Sequence, residues 1–168
     1  MKALILTADG VEDMELMCPY FRLQEEGIET DIAAPKAGYV TGKHDYRIEV
    51  NLPLSEVDPD AYDVLVLPGG KGPEKVRLEK SALEAVKAIM NAGKPVAAIC
   101  HGPQVLASAG LLKGRRATGW KGIQDDIRNA GADVLDQEVV VDGNLVTSRQ
   151  PSDLPAFCRE LIGLIRKR

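Results

Sequence analysis

The sequence predicts an α/β fold, with a mostly parallel β-sheet covered by helices on both faces. Short apolar runs recur along the chain, and they are continuous instead of alternating, which is typical of strands buried on both sides. Stretches with helical periodicity separate these runs, and that order favours parallel strands joined by crossover helices. The 168 residues contain no internal repeat and no linker, so we expect one compact domain, residues 1–168.

In the first half of the chain, three runs have the apolar composition of strands: residues 2–8 (KALILTA), 28–34 (IETDIAA) and 62–70 (YDVLVLPGG). Residues 13–26 place apolar side chains at mostly helical spacing and stop at Gly27, so they predict a helix. Residues 39–51 alternate in character around a turn, and they indicate a small hairpin at the sheet edge.

The second half continues the alternation. Helices are predicted at residues 81–92, 102–109 and 123–130, and residues 94–99 (KPVAAI) predict another buried strand. Residues 138–148 (EVVVDGNLVTS) form a terminal pair of strands with Asp142 and Gly143 at its turn. A last helix begins at Ser152, which can cap it, and Pro155 falls in its first turn.

Composition and charge argue against several classes of partner. The net charge is −4 and both signs are interspersed, so there is no basic stripe for nucleic acid. No charged leader precedes an apolar core and no apolar run approaches the roughly 20 residues that span a bilayer, so we expect a cytoplasmic protein without membrane contact. Neither a nucleotide-binding glycine motif nor a histidine pair is present, and we expect no cofactor and no catalytic metal.

The candidate nucleophile is Cys100, in the stretch VAAICHGPQ. It directly follows a predicted buried strand and precedes a helix, so its sulfur lies at the carboxyl edge of the sheet, where ligands bind in such folds. The helix N-terminus favours the thiolate and predicts a lowered pKa for Cys100. Gly102 allows the close backbone approach of a sharp turn, as in a nucleophile elbow. Cys18 and Cys158 lie inside amphipathic helices, where packing explains them.

Three motifs in this order resemble the DJ-1/PfpI family of class I glutamine amidotransferase-like proteins: GVEDMEL after the first strand, LPGG at residues 67–70, and AICHGP at the elbow. The likeness covers essentially the whole chain and is strongest to the PfpI-type intracellular protease branch. It implies a flavodoxin-like three-layer sandwich. It also implies a homodimer, or a hexamer built as a trimer of dimers.

The resemblance implies roles for four residues. Cys100 is the nucleophile, His101 is the neighbouring acid or base, and Glu12 is the carboxyl that reaches the sulfur. Glu74 matches a position that orients the histidine from a neighbouring subunit. The residues alone leave alternatives open, since Glu12 and Glu74 are also ordinary acids near helix starts.

Four further residues are candidates for binding. The N–H groups of Gly69 and Gly70, with that of His101, can hold a developing oxyanion, although glycine pairs also form plain turns. Trp120 stands where this branch commonly has a tyrosine, so the hydroxyl is lost and an indole N–H remains. Arg149 can line the site as in the family, or anchor the loop before the last helix.

The expected function is therefore that of a cysteine-dependent hydrolase. Its expected substrate is a small peptide or an adduct derived from an aldehyde such as methylglyoxal. The alternative is a redox-responsive chaperone or sensor that uses oxidation of Cys100. Glutamine hydrolysis is disfavoured because that chemistry needs a late histidine, and no histidine follows His101. The other histidine, His44, is explained as a solvated hairpin residue.

Overall fold

The protein is described here by a computed structural model of residues 1–167; Arg168, the last residue of the predicted domain, lies outside the described residues. The strands are Lys2–Leu6 (β1), Glu29–Ala34 (β2), Gly38–Thr41 (β3), Arg47–Val50 (β4), Leu52–Pro53 (β5), Val64–Leu67 (β6), Val96–Ile99 (β7), Arg116–Ala117 (β8), Asp133–Val134 (β9), Val139–Asp142 (β10) and Leu145–Ser148 (β11). The helices are Asp13–Glu25 (α1), Gly72–Val76 (α2), Lys80–Asn91 (α3), Pro103–Ser108 (α4), Gln124–Asn129 (α5) and Leu154–Arg166 (α6).

A seven-stranded sheet forms the centre of the molecule, in the order β10-β11-β7-β6-β1-β2-β5. All neighbours pair in parallel except β10, which pairs antiparallel with β11 at one edge. The mostly parallel sheet and the terminal pair of strands are confirmed. The continuous apolar runs have the predicted cause, because every residue of β6, β7 and β11 is buried.

The core has two parts, one on each face of the sheet. In β1, Leu4 and Leu6 face one helical layer, whereas Ala3 and Ile5 face the other. The first layer is formed largely by α3, α4 and α5, and its fully buried side chains include Val86, Ile89, Leu106 and Ile127. The second is formed by α1 and α6, whose buried side chains include Leu16, Leu23, Phe157 and Leu161. This arrangement confirms the three-layer sandwich.

Two local predictions are corrected. The hairpin is present, but β3 and β4 form a separate two-stranded sheet, because Val40, Ile48 and Val50 pack on the α1 side of the core instead of extending the main sheet. The last helix begins at Leu154, after a 3₁₀ turn at Pro151–Asp153, and Ser152 does not cap it. Pro155 does fall in the first turn of α6, as predicted.

The topology places three loops side by side at one end of the sheet. Strands β1, β6 and β7 are neighbours, and their carboxyl ends lead to the loop before α1, to Gly69 and Gly70, and to Cys100. These loops meet at the edge where parallel sheets bind ligands. Within residues 1–167, no helix has the length and apolar character needed to cross a bilayer.

Candidate active site

Cys100 occupies a strained turn between β7 and α4. Its φ of 60° lies in the left-handed region, which among the non-glycine residues of 1–167 is otherwise occupied by Asp45. A non-glycine residue there costs about 1–2 kcal/mol. The turn is tight, since the Gly102 N–H donates to the Ile99 carbonyl at 2.8 Å and a Cβ on Gly102 would lie 2.1 Å from the Leu67 carbonyl oxygen. The predicted elbow is therefore present.

The elbow opens onto a cavity of about 970 Å³. Cys100 is 8% exposed, and its thiol is reached from this cavity. The residues that line it come from all three loops, from the first turn of α1, from α2, from the β3–β4 hairpin, from the segment after β8 and from the segment before α6: Asp9, Gly10, Glu12, Glu15, Thr41, Gly42, Lys43, Gly70, Lys71, Glu74, Cys100, His101, Trp120, Gln150, Pro151 and Ser152. Six of the eight predicted site residues line the cavity, and the two that do not are Gly69 and Arg149.

His101 lies beside the thiol, with its Nδ1 3.2 Å from Cys100 Sγ. Burial lowers the pKa of His101, Lys43 lowers it further and Glu74 raises it, so the imidazole is neutral near pH 7. A neutral imidazole in this position can accept the thiol proton. Trp120 stacks on the imidazole with 6.4 Å between ring centroids, and its backbone N–H donates to the Cys100 carbonyl at 2.9 Å.

The carboxyl beside the sulfur belongs to Glu15, which is not among the residues predicted for the site. Glu15 is fully buried, and its Oε2 accepts the Gly69 N–H at 3.0 Å. Glu15 and the Cys100 thiol interact, since each of them shifts the pKa of the other. A signal was available in the sequence, because Glu15, Pro19 and Leu23 recur every four residues along the buried face of α1.

Glu12 is directed elsewhere, which corrects the role implied for it. It precedes the first residue of α1, and its carboxylate faces the hairpin, with Oε2 3.1 Å from Lys43 Nζ and Oε1 3.4 Å from His44 Nδ1. Glu15 lies three residues further on, about one helical turn, and turns inward toward the sheet. One helical turn therefore separates the carboxyl that meets the thiol from the carboxyl that meets the hairpin.

The electrostatics of the thiol differ from the prediction. Burial and the charge of Glu15 raise the pKa of Cys100 to about 12, although the N–H groups of Gly70 and His101 oppose this. The expected lowering by the helix N-terminus is therefore wrong, because α4 is short and the sulfur is desolvated. Burial also raises the pKa of Glu15 to about 7. Two adjacent negative charges are disfavoured here, so the pair keeps at least one proton near neutral pH.

The backbone N–H groups of the two glycines after β6 have different partners. The Gly70 N–H faces the Cys100 sulfur, as does that of His101, so these two donors are available to an oxyanion. Gly70 has φ +72°, and a Cβ there would lie 2.3 Å from the Glu12 nitrogen. The Gly69 N–H is committed to Glu15, which removes Gly69 from the set of oxyanion donors.

Glu74 and Arg149 complete the predicted set. Glu74 lines the cavity from α2, and its charge acts on His101, but among residues 1–167 no carboxylate makes a hydrogen bond to that imidazole. Arg149 does not line the cavity. Its guanidinium pairs with Asp153 at 2.9 Å and with Asp136 at 3.1 Å, so it anchors the loop before α6.

A second cluster of polar side chains lies where the tip of the β3–β4 hairpin meets the start of α1, at the rim of the cavity. Asp13 accepts the backbone N–H groups of His44 at 2.9 Å and Tyr46 at 3.3 Å, and its Oδ2 lies 3.0 Å from His44 Nδ1. Burial would raise the pKa of Asp13, but these hydrogen bonds leave it below its ordinary value. The sequence predicts that His44 is a solvated residue. Its side chain is 62% exposed, but it also pairs with Asp13.

One group within residues 1–167 has the ligand types to hold a metal ion. Donor atoms of Glu12, Asp13 and His44 all lie within 4.8 Å of one another. Their present contacts are with each other, with Lys43 and with the hairpin backbone, which is the pattern of a structural clamp. The cluster attaches the hairpin to the start of α1.

The chain is similar to known proteins over nearly its whole length. The model of the DJ-1/PfpI family matches residues 1–164. The chain is 56% identical to a deglycase of Pyrococcus abyssi and 54% identical to the deglycase PfpI of Pyrococcus furiosus, in each case over 99% of this chain and 100% of the relative.

A solved structure is also similar. It is a two-domain protein from Anabaena variabilis that contains DJ-1/ThiJ/PfpI-like and ferritin-like domains, with a TM-score of 0.96 and 38% identity. The match covers 98% of this chain and 50% of that one. The resemblance seen in the sequence is thereby confirmed, and the chain belongs to the DJ-1/PfpI family.

Proposed function

We propose that this protein is a cysteine-dependent deglycase, a hydrolase that removes aldehyde-derived adducts from amino groups by way of a Cys100 thioester. The observation that carries the proposal is the Cys100 thiol in its elbow, open to a cavity and 3.2 Å from His101 Nδ1. The naming of two full-length relatives as deglycases supports the same activity.

The first step is addition of sulfur to an aldehyde. Within the pocket the hemiaminal adduct of methylglyoxal and an amine breaks its carbon–nitrogen bond as the carbonyl forms, the hydroxyl proton passes to the departing amine, and Cys100 attacks the bound aldehyde carbon. Because the pKa of Cys100 is raised, the thiol gives its proton to His101 Nδ1 as the carbon–sulfur bond forms. The new alkoxide lies where the Gly70 and His101 N–H groups can stabilise it, and protonation completes a hemithioacetal.

The second step is an internal proton transfer. The hydrogen on the former aldehyde carbon moves as a proton to the neighbouring carbonyl carbon through an enediol, so one carbon is oxidised and the other reduced, with no external oxidant. His101 and Glu15 are the groups beside the sulfur that can carry this proton, and a Glu15 pKa near 7 suits it to both directions of transfer. The product is a lactoyl thioester of Cys100.

Hydrolysis ends the cycle. Water adds to the thioester carbonyl, the carbon–sulfur bond breaks and the electron pair returns to sulfur. The products are lactate, one released proton and the Cys100 thiol. A peptide would acylate Cys100 with its own acyl group and release its amine, and the same hydrolysis of a thioester would follow, so the geometry also supports peptide hydrolysis. Oxidants attack thiolates, and the raised pKa of Cys100 gives a redox sensor less support.

The test uses N-acetyl-lysine first treated with methylglyoxal. We expect wild-type protein to form lactate and free the amine faster than the adduct dissociates by itself, which separates deglycation from attack on free methylglyoxal. Cys100→Ala should abolish both products, whereas the matched Cys18→Ala variant should retain them. Short fluorogenic peptides test the peptidase alternative. If no substrate turns over while peroxide converts Cys100 to its sulfinate, the redox role replaces this proposal.

A further inference from the structure

The cavity around Cys100 carries more acids than cations. Its lining includes the carboxyl groups of Asp9, Glu12, Glu15 and Glu74. Its lysines are Lys43 and Lys71. A reaction that creates a carboxylate here meets an environment of like charge, which opposes formation of the product. The position of each lysine therefore matters to the chemistry.

Lys43 is held over the cavity by the hairpin tip. Its backbone N–H donates to the Val11 carbonyl at 2.7 Å, and the Gly10 N–H donates to the Thr41 carbonyl at 2.8 Å, so the base of the side chain is fixed. Its ammonium lies 3.1 Å from Glu12 Oε2, the one acceptor it contacts among residues 1–167. An ammonium has three donors, and the side chain is 60% exposed, so donors remain for a ligand.

The charge of Lys43 reaches the reacting groups. Burial raises the pKa of Glu15, and Lys43 opposes that rise; burial lowers the pKa of His101, and Lys43 adds to that fall. Lys71, on the opposite loop, also lines the cavity, but it is not among the charges that act most strongly on these groups. Lys43 is thus the cation placed to meet an anion next to the sulfur.

We propose that the Lys43 ammonium, positioned by Glu12 and the hairpin, is the carboxylate-binding group of this pocket and receives the acid formed when the Cys100 thioester is hydrolysed. The inference rests on the proposed function for the identity of the acid, lactate. It applies equally to a peptide acid, because hydrolysis of any thioester leaves a carboxylate at the same carbon. Lys43 would then also favour substrates with a carboxylate beside the reacting carbonyl.

The experiment measures charge at the sulfur without requiring turnover. Cys100 is alkylated with iodoacetate and, separately, with neutral iodoacetamide, and the two rates are followed by mass spectrometry of its peptide. Both reagents need the same thiolate, so their ratio reports the local potential and not the thiol pKa. We expect Lys43→Gln to lower the iodoacetate-to-iodoacetamide ratio about threefold, the effect of one charge several Å away in a solvent-filled pocket. Lys43→Arg should restore the ratio.

A second arm tests binding of the product. Lactate should protect Cys100 from iodoacetamide, lactamide of the same shape should not, and Lys43→Gln should remove the protection. The matched control is Lys71→Gln, which takes the same charge from the same cavity and should keep both results. Three outcomes would overturn the inference. The alkylation ratio could be the same in wild type and Lys43→Gln, the two lysine variants could lose the ratio and the protection equally, or lactamide could protect Cys100. If the wild-type protein had no deglycase activity but lactate still protected its Cys100, the result would count against the proposed function and would leave this inference standing.

Discussion

The Glu15 carboxylate accepts the Gly69 N–H and lies beside the Cys100 thiol, where it adds to the effect of burial in raising the pKa of that thiol. The thiol of the proposed nucleophile and the Glu15 carboxyl are therefore coupled across two elements, the first turn of α1 and the turn after β7. The state that suits attack keeps a proton on Glu15, because a protonated carboxyl no longer repels a developing thiolate. Proton placement in this pair sets the reactivity of the site.

Replacing Glu15 separates reactivity of the thiol from catalysis. Glu15→Gln removes the neighbouring charge, so alkylation of Cys100 should shift to lower pH by about one unit or more. Turnover of the adduct should fall at least about 100-fold, because the proton carrier is lost. The measurements are the pH profile of Cys100 alkylation and the rate of lactate release. Glu12→Gln is the matched control, and a shift as large in this variant would assign the coupling to Glu12.

Glu15 also makes stability depend on pH. Its pKa is raised from 4.5 to about 7, so the folded state binds more protons than the unfolded state between these values, and stability falls as pH rises through that window. The loss is about 3 kcal/mol for a fully buried carboxyl. Urea unfolding of wild type and Glu15→Gln at pH 4.5 and pH 7.5 should show this difference. Parallel pH dependence in the two proteins would contradict the raised pKa.

Two glycine substitutions, one in the elbow and one in α6, should have opposite effects on stability. Gly102→Ala places a methyl group 2.1 Å from the Leu67 carbonyl oxygen, so we expect a loss of several kcal/mol or failure to fold. Gly163 lies within α6 with nothing near its missing Cβ, and Gly163→Ala should stabilise the protein by about 0.5–1 kcal/mol. Thermal unfolding of both variants checks the pair. A mild effect of Gly102→Ala would mean that the turn can relax.

Glu74 provides a test of assembly. No carboxylate within residues 1–167 is hydrogen-bonded to His101, and we propose that Glu74 of an adjacent subunit orients the imidazole in a homodimer or a hexamer. Cys100→Ala and Glu74→Ala should each be inactive alone, and a mixture refolded together should recover about a quarter of the activity, because random pairing assembles complete sites. Gel filtration reports the assembly. A fully active monomer, or a mixture that stays inactive, would place the action of Glu74 within one chain.

Residue patterns predicted most of the fold, and the two wrong predictions, for the hairpin and for the start of α6, have physical causes. The buried strands were predictable because continuous apolar runs such as VLVL and VAAI leave few alternatives. The hairpin at residues 38–50 was predictable, but its separation from the main sheet was not, because that depends on which surface covers Val40 and Ile48. The start of α6 was misplaced by two residues, since Ser152 has the chemistry of a cap but lies in a 3₁₀ turn.

The sequence by itself determined the α/β class, the positions of the buried strands along the chain and the elbow at Cys100, because continuous apolar runs and a glycine two residues after a cysteine are local properties. Helical period could place Glu15 on the buried face of α1, but only the tertiary structure decided that its carboxyl lies beside the thiol. Only the tertiary structure decided, too, that the Gly69 N–H donates to Glu15 and that Lys43 reaches the cavity from a distant hairpin. These choices follow from one helical turn of α1 and from loops brought together across three strands. Packing sets the distances between side chains that are far apart in the chain, and local sequence patterns do not determine these distances.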